Sequence, residues 1–182
     1  MTMIPNLSLI LRASTLEKKP KKFSLVANEA DKAALIERFD LVSLDQLSAD
    51  LEVRNNGANK GVLIEGSLKA KFAQRCVASL AEIPETMDTA FDLLLVDPEM
   101  ALRMDEEESY LDPDAPDYDA LEGDDIDVGE IVAQTFSISM NPYPRAQGSA
   151  LTAPSNPNVT INEAELEKPN PFAGLSKLKD KS

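Results

Sequence analysis

Val62-Leu63-Ile64-Glu65-Gly66-Ser67-Leu68-Lys69-Ala70-Lys71-Phe72 is the stretch whose reading decides the fold. Val62, Ile64, Gly66, Leu68, Ala70 and Phe72 fall on one side of an extended chain, and Glu65, Ser67, Lys69 and Lys71 on the other. Successive side chains of a strand point to opposite faces, so this alternation predicts a strand with one face buried and one in water. The pattern has neighbours. Ala49, Leu51 and Val53 alternate with Asp50, Glu52 and Arg54, and further on Met87, Thr89, Phe91, Leu93 and Leu95 share a side. Asn56-Gly57, between the first two runs, is a pair that supplies positive φ in a hairpin. The connections are too short for crossovers, so the three runs are expected to form an antiparallel meander.

Moving outward, residues 7–12 and 23–26 are short apolar runs and read as strands, joined by the Lys-Pro-rich loop Glu17 to Lys22. Asn28 to Asp40 reads as a helix, with Asn28 as N-cap, Asp31 three residues on, and Leu35, Ile36 and Phe39 on one face. Pro98 to Asp124 is dense in acids and holds Pro113 and Pro116, which predicts a loop or disorder, with Tyr110, Leu111, Tyr118 and Leu121 available to tack it down. Order returns from Asp125 to Met140. There Asp125 is the expected cap, Asp127 favours the helix dipole, and Val128, Ile131, Val132, Phe136 and Met140 follow helical spacing. Phe136 to Met140 also alternates, so an extended ending stays open. Asn141-Pro142-Tyr143-Pro144 stops the element. The expected class is α+β: a small antiparallel β-rich domain over residues 1–144 with flanking helices and a disordered acidic loop at about 98–124. A linker over 145–167 and a short C-terminal motif over 168–182 then make a flexible tail, in which Phe172, Leu175 and Leu178 share a face.

Hydrophobic residues make up 43% of the chain, enough for a core, while aromatics at 5% and the absence of Trp make that core aliphatic. No apolar run approaches the roughly 20 residues that span a bilayer, and Leu7 to Leu11 is too short for a signal-peptide core. With a single cysteine, Cys76, a reducing compartment fits, so a cytoplasmic protein without membrane contact is expected. The net charge of −14 is concentrated: fifteen acids and one base, Arg103, lie between Asp97 and Glu130, and the remaining acids and bases cancel. A near-neutral scaffold with one acidic segment suits a basic protein partner rather than DNA, whose binding rests on Lys and Arg neutralising phosphates.

Absence of histidine removes the commonest general base and, with one cysteine, the usual zinc sites. Asp112, Asp114, Asp117 and Asp119 suggest calcium, but Pro116 occupies the fifth loop position and Asp117 the place of the required glycine. Gly61 to Gly66 lacks the Gly-Lys-Ser/Thr ending of a phosphate loop and sits in a strand. Arg75 beside Cys76 is able to lower its pKa, yet a small residue packing at a strand end is the preferred reading. No catalytic residue, metal site or cofactor is therefore expected, and the chain reads as a non-enzymatic binding protein. The alternative is a magnesium-dependent RNA-processing enzyme that uses the acidic loop.

Three segments, in order, resemble the YceD-like family, named for large ribosomal RNA subunit accumulation. They are Gly66 to Leu80 with Gln74-Arg75-Cys76 inside it, Asp125 to Val132 running on to Asn141-Pro142-Tyr143-Pro144-Arg145, and Lys168-Pro169-Asn170-Pro171-Phe172-Ala173-Gly174-Leu175. The resemblance implies a factor supporting accumulation of large-subunit ribosomal RNA, with no known catalytic reaction and a small β-rich domain. It implies partner contacts at Asp125, Asp127, Glu130, Tyr143, Arg145, Lys168, Pro169, Asn170, Pro171 and Phe172, with Gln74, Arg75 and Cys76 as family motif. Many relatives carry Cys-x-x-Cys in the first segment; here Ala73 stands in place of the first cysteine. Two mechanisms stay open for the large-subunit precursor as partner. In the preferred one the acidic stretch holds a basic ribosomal protein; in the other Lys18 to Lys22, Arg145 and Lys177 to Lys181 touch ribosomal RNA.

Overall fold

In the computed structural model, which describes residues 2–57, 61–106 and 116–148, the chain runs β1 (Thr2–Ile4), β2 (Ile10–Arg12), a 3-10 turn (Ala13–Thr15), β3 (Lys21–Val26), α1 (Glu29–Phe39), β4 (Ser43–Asn55), β5 (Val62–Arg75), β6 (Glu82–Val96), α2 (Pro98–Glu106), β7 (Asp117–Ala120), β8 (Asp125–Asp127) and α3 (Val128–Ser139). The class is α+β. Six strands form one sheet in the order β1-β3-β4-β5-β6-β7, and β2 pairs with β8 in a second.

β4, β5 and β6 are the antiparallel meander that the alternation predicts, paired from Asn55↔Val62 to Ser43↔Ala73 and from Val62↔Leu95 to Arg75↔Glu82. The first hairpin closes through a longer connection than a two-residue turn: Asn56 donates its N–H to the Gly61 carbonyl at 3.0 Å, and Gly57 takes the positive φ, 106°. The sheet is mixed rather than wholly antiparallel, because β1 lies parallel to β3 and β7 parallel to β6 at its two edges.

Alternation places Leu47, Ala49, Leu51 and Val53 of β4 opposite Ala70, Leu68, Gly66 and Ile64 of β5 on the covered face. Asp45, at a bulge between Leu44 and Gln46, keeps this parity in step with Leu44 and Phe72. α1 begins as expected: Asn28 accepts from the Asp31 N–H at 2.9 Å while Asp31 accepts from the Asn28 N–H at 3.0 Å, a reciprocal cap. Asp40, left-handed at φ 51°, ends it. α3 sends Phe136, fully buried, edge-on to Phe72 of β5 at 5.1 Å and to Phe39 of α1 at 6.1 Å between ring centroids. One ring thus ties both helices to the sheet, and cutting it to Ala would cost about 3–5 kcal/mol.

The acidic stretch departs from the expected loop at both ends. Asp97 accepts from the Glu99 N–H at 2.9 Å and Pro98 occupies the first helical position, so α2 starts with a cap and a residue whose missing N–H has no role there. Its far end becomes β7, held by pairing to Leu93–Val96 and by Leu121 N–H to the Val96 carbonyl at 2.7 Å. Tyr118 donates to Asp105 at 2.6 Å and Leu121 packs on the core, as expected of both; Tyr110, Leu111, Asp112 and Asp114 lie outside the described residues.

Of the apolar run 7–12, only Ile10–Arg12 forms a strand, pairing with β8 at Ile10↔Asp127. The rest of this N-terminal arm is held by single bonds: Leu7 N–H to Asp31 at 3.0 Å, Val128 N–H to the Leu9 carbonyl at 2.9 Å and Ala13 N–H to the Asp124 carbonyl at 2.8 Å. The expected cap also moves. Asp125 lies in β8, and Asp127 caps α3 by accepting from the Glu130 N–H at 3.0 Å. Helix continues to Ser139, which closes the extended alternative for that ending. The linker beyond Gly148 and the motif at 168–182 lie outside the described residues.

Candidate partner-binding site

Hairpin β5–β6 turns at Cys76–Ala81. Cys76 donates its N–H to the Ala81 carbonyl at 2.8 Å, and its own carbonyl accepts from the Leu80 N–H at 2.9 Å. Closing this single helical turn puts Leu80 in the left-handed region, φ 60°, at a steric cost of about 1–2 kcal/mol for a residue with a Cβ. Leu80 is nonetheless 73% exposed, so its side chain recovers little of that cost by burial.

The Cys76 thiol, completely buried, accepts from the Ser79 N–H and from the Ala146 N–H, both at 3.3 Å. A further bond, Val77 N–H to the Pro144 carbonyl at 2.9 Å, runs beside it. Two sequence segments, 70 residues apart from Cys76 to Ala146, are stapled by one sulfur. On the two joined segments Val77, Leu80 and Tyr143 are 48%, 73% and 74% exposed, and Arg75 and Arg145 are also exposed. Tyr143 is fixed by an Asx turn, its N–H donating to Asn141 at 3.0 Å. Gln74, at the end of β5, has a buried Oε1 with no donor among the described residues.

The other expected contact residues are placed elsewhere. Asp125 is exposed and 3.7 Å from Arg12, Asp127 serves as the α3 cap, and Glu130 makes two hydrogen bonds to Arg38 of α1, at 2.6 and 2.7 Å. Those bonds hold the Glu130 carboxyl below its usual range and raise the Arg38 guanidinium, because each partner favours the charged form of the other. The Asp125 to Val132 segment therefore chiefly joins α3 to the rest of the fold. Lys168, Pro169, Asn170, Pro171 and Phe172 lie outside the described residues. Reading the sequence missed Val77 and Leu80; a turn needing a left-handed residue has no local mark when that residue is Leu.

Among the described residues no three His, Cys, Asp or Glu side chains converge as metal ligands, and no helix is long and apolar enough to cross a membrane. A family model described as large ribosomal RNA subunit accumulation protein YceD matches residues 64–179, a span that opens in β5 and includes both stapled segments. No curated protein and no solved structure matches the chain.

Proposed function

The chain belongs to the YceD family of large ribosomal RNA subunit accumulation proteins, and from that premise we propose that it is a non-enzymatic cytoplasmic assembly factor that binds a component of the large-subunit precursor. Membership ties the protein to accumulation of large-subunit ribosomal RNA. The finer reading is supported by one observation: the Cys76 staple, which joins two family segments that each carry exposed apolar and basic side chains. Val77, Leu80 and Tyr143 supply apolar and aromatic contact, and Arg75 and Arg145 supply charge around it. A left-handed, exposed Leu80 is a costly arrangement for a turn that only connects strands, and it is explained by contact with a partner. A net charge of −14 favours a basic ribosomal protein as that partner over naked RNA or DNA.

Sedimentation of ribosomal subunits from cells depleted of the protein tests this reading. A deficit of large subunits, corrected by the wild-type chain but not by a Leu80→Ser/Tyr143→Ala variant with an unchanged melt, is the expected result. Normal subunit levels after depletion, or cleavage of precursor RNA by the purified chain with magnesium, would overturn it.

A further inference from the structure

β6 is fifteen residues long, yet β7 pairs only with its last four, Leu93 to Val96. Among the described residues, nothing pairs with the outer edge of β6 from Glu82 to Phe91. Three facts fix which backbone groups point outward there. The Cys76 N–H bonds the Ala81 carbonyl, so odd-numbered residues face β5. Pro84, which has no N–H to give, falls in the even set. The Val96 carbonyl, also even, accepts from outside, from Leu121. Thr86, Asp88 and Ala90 therefore turn both their N–H and C=O groups away from the sheet, and Asp92 turns its N–H outward while its C=O is the acceptor that the parallel Leu93↔Asp117 register gives to β7.

Beside this edge, where β7 stops, a groove of about 330 Å³ runs between Phe91 and Leu93 of β6, Asp117 and Asp119 of β7, and Ile131 and Ile138 of α3. Ile138 is 79% exposed at its rim. The two faces of an added strand would meet different chemistry. On the groove side lie the apolar Phe91, Leu93, Ile131 and Ile138, with Asp117 and Asp119 at the β7 end. On the other lie the carboxylates of Asp88 and Asp92, with Lys69, 3.6 Å from Asp88, and Lys71, opposite Thr86, as the nearby bases.

We propose that β6 takes up an extended segment of a basic protein as an added strand along Thr86–Asp92, with alternate apolar side chains in the groove beside α3 and alternate Lys or Arg side chains against Asp88 and Asp92. This deepens the assembly-factor reading and rests on it, by naming how a basic ribosomal protein would be held. A polypeptide fits where RNA does not, because the edge offers donors and acceptors at the repeat of a β backbone. The chain's own acidic segment is a poor occupant: Pro116, immediately before β7, has no N–H, and its acids would face acids.

The test uses the full chain and a ten-residue peptide alternating Lys and Val, compared with a peptide of the same composition in two blocks. Hydrogen exchange should show Thr86, Asp88, Ala90 and Asp92 unprotected in the free chain and protected by the alternating peptide. Ala90→Pro removes an outward N–H while sparing the β5 ladder, and should weaken binding about tenfold with an unchanged melt. Equal binding of the block peptide, undiminished binding by Ala90→Pro, or binding of a uridine oligonucleotide at the same amides would overturn the inference. So would protection of these amides in the free chain that is lost on deleting residues 107–115 or 149–182. In depleted cells, full correction of subunit levels by Ala90→Pro would refute the edge while leaving the assembly reading intact, whereas normal levels after depletion would refute that reading itself.

Discussion

Gly129 is the second residue of α3, and two effects of replacing it with Ala oppose each other. Helix propensity alone favours Ala over Gly by about 1 kcal/mol. Against this, a Cβ built on Gly129 lies 2.7 Å from the Leu7 carbonyl carbon and closer still to its oxygen, inside the 3.0 Å that real Cβ atoms respect. The obstacle is backbone, and it is anchored: Leu7 donates to Asp31 at 3.0 Å and Leu9 accepts from Val128 at 2.9 Å. Overpacking of this kind costs about 1–3 kcal/mol, and giving up the Val128 bond adds about 1 kcal/mol. The close approach wins, and Gly129→Ala should lose roughly 1–3 kcal/mol net. For a chain of this size that lowers Tm by roughly 2–12 °C. Urea and thermal melts of the full chain measure it. A variant as stable as the wild type or more so would show that the N-terminal arm does not press on α3, and the account of the Asp125–Val132 segment as a structural joint would fall with it.

Leu80→Gly should raise stability by about 1 kcal/mol by relieving the left-handed turn, and should weaken sedimentation with large-subunit precursors; a loss of stability would mean Leu80 is there for the fold. Cys76→Ala removes the acceptor of the Ser79 and Ala146 N–H groups and should cost about 1–3 kcal/mol, with exchange at Ala146 rising first; unchanged exchange there would refute the staple. The buried thiol should also resist alkylation until the chain unfolds, so prompt labelling under native conditions counts against its burial. Glu130 titrates below its ordinary 4.5 when folded, so its bond to Arg38 stabilises above that pH and is lost as pH falls through the lowered value. Glu130→Gln should flatten stability against pH in that acid window, and an unchanged slope in urea melts below pH 4.5 would refute the coupling.

Local signals were the legible ones. Alternation in β5 and the Asn28–Asp31 reciprocal cap act within a few residues, and both elements form where the sequence places them. The Asp97-Pro98 start of α2 was equally local, but dense charge around it argued for a loop; capping and packing against β7 outweigh that repulsion. β1, β7 and β8 have three or four residues each, too few for a periodicity, and exist because a distant strand completes their hydrogen bonds. The candidate surface was half legible. Two of the three segments of the YceD resemblance lie within the described residues and were visible, but the Cys76 to Ala146 contact that joins them reaches from the β5–β6 turn across β6 to α3.

The N-terminal arm sets a schedule for synthesis. Leu9 leaves the ribosome ahead of the meander, yet its carbonyl finds its partner only when Val128 has been made. At about 5–20 residues per second, that interval is roughly 6–24 s. Throughout it the three-residue strand Ile10–Arg12 and the edge beside it wait unpaired, while the meander, whose contacts are neighbours in sequence, has time to close. The arm emerges before the meander and locks after it, so an elongation pause placed between the meander and α3 would lengthen the time the arm stays unpaired without touching any residue of the finished protein.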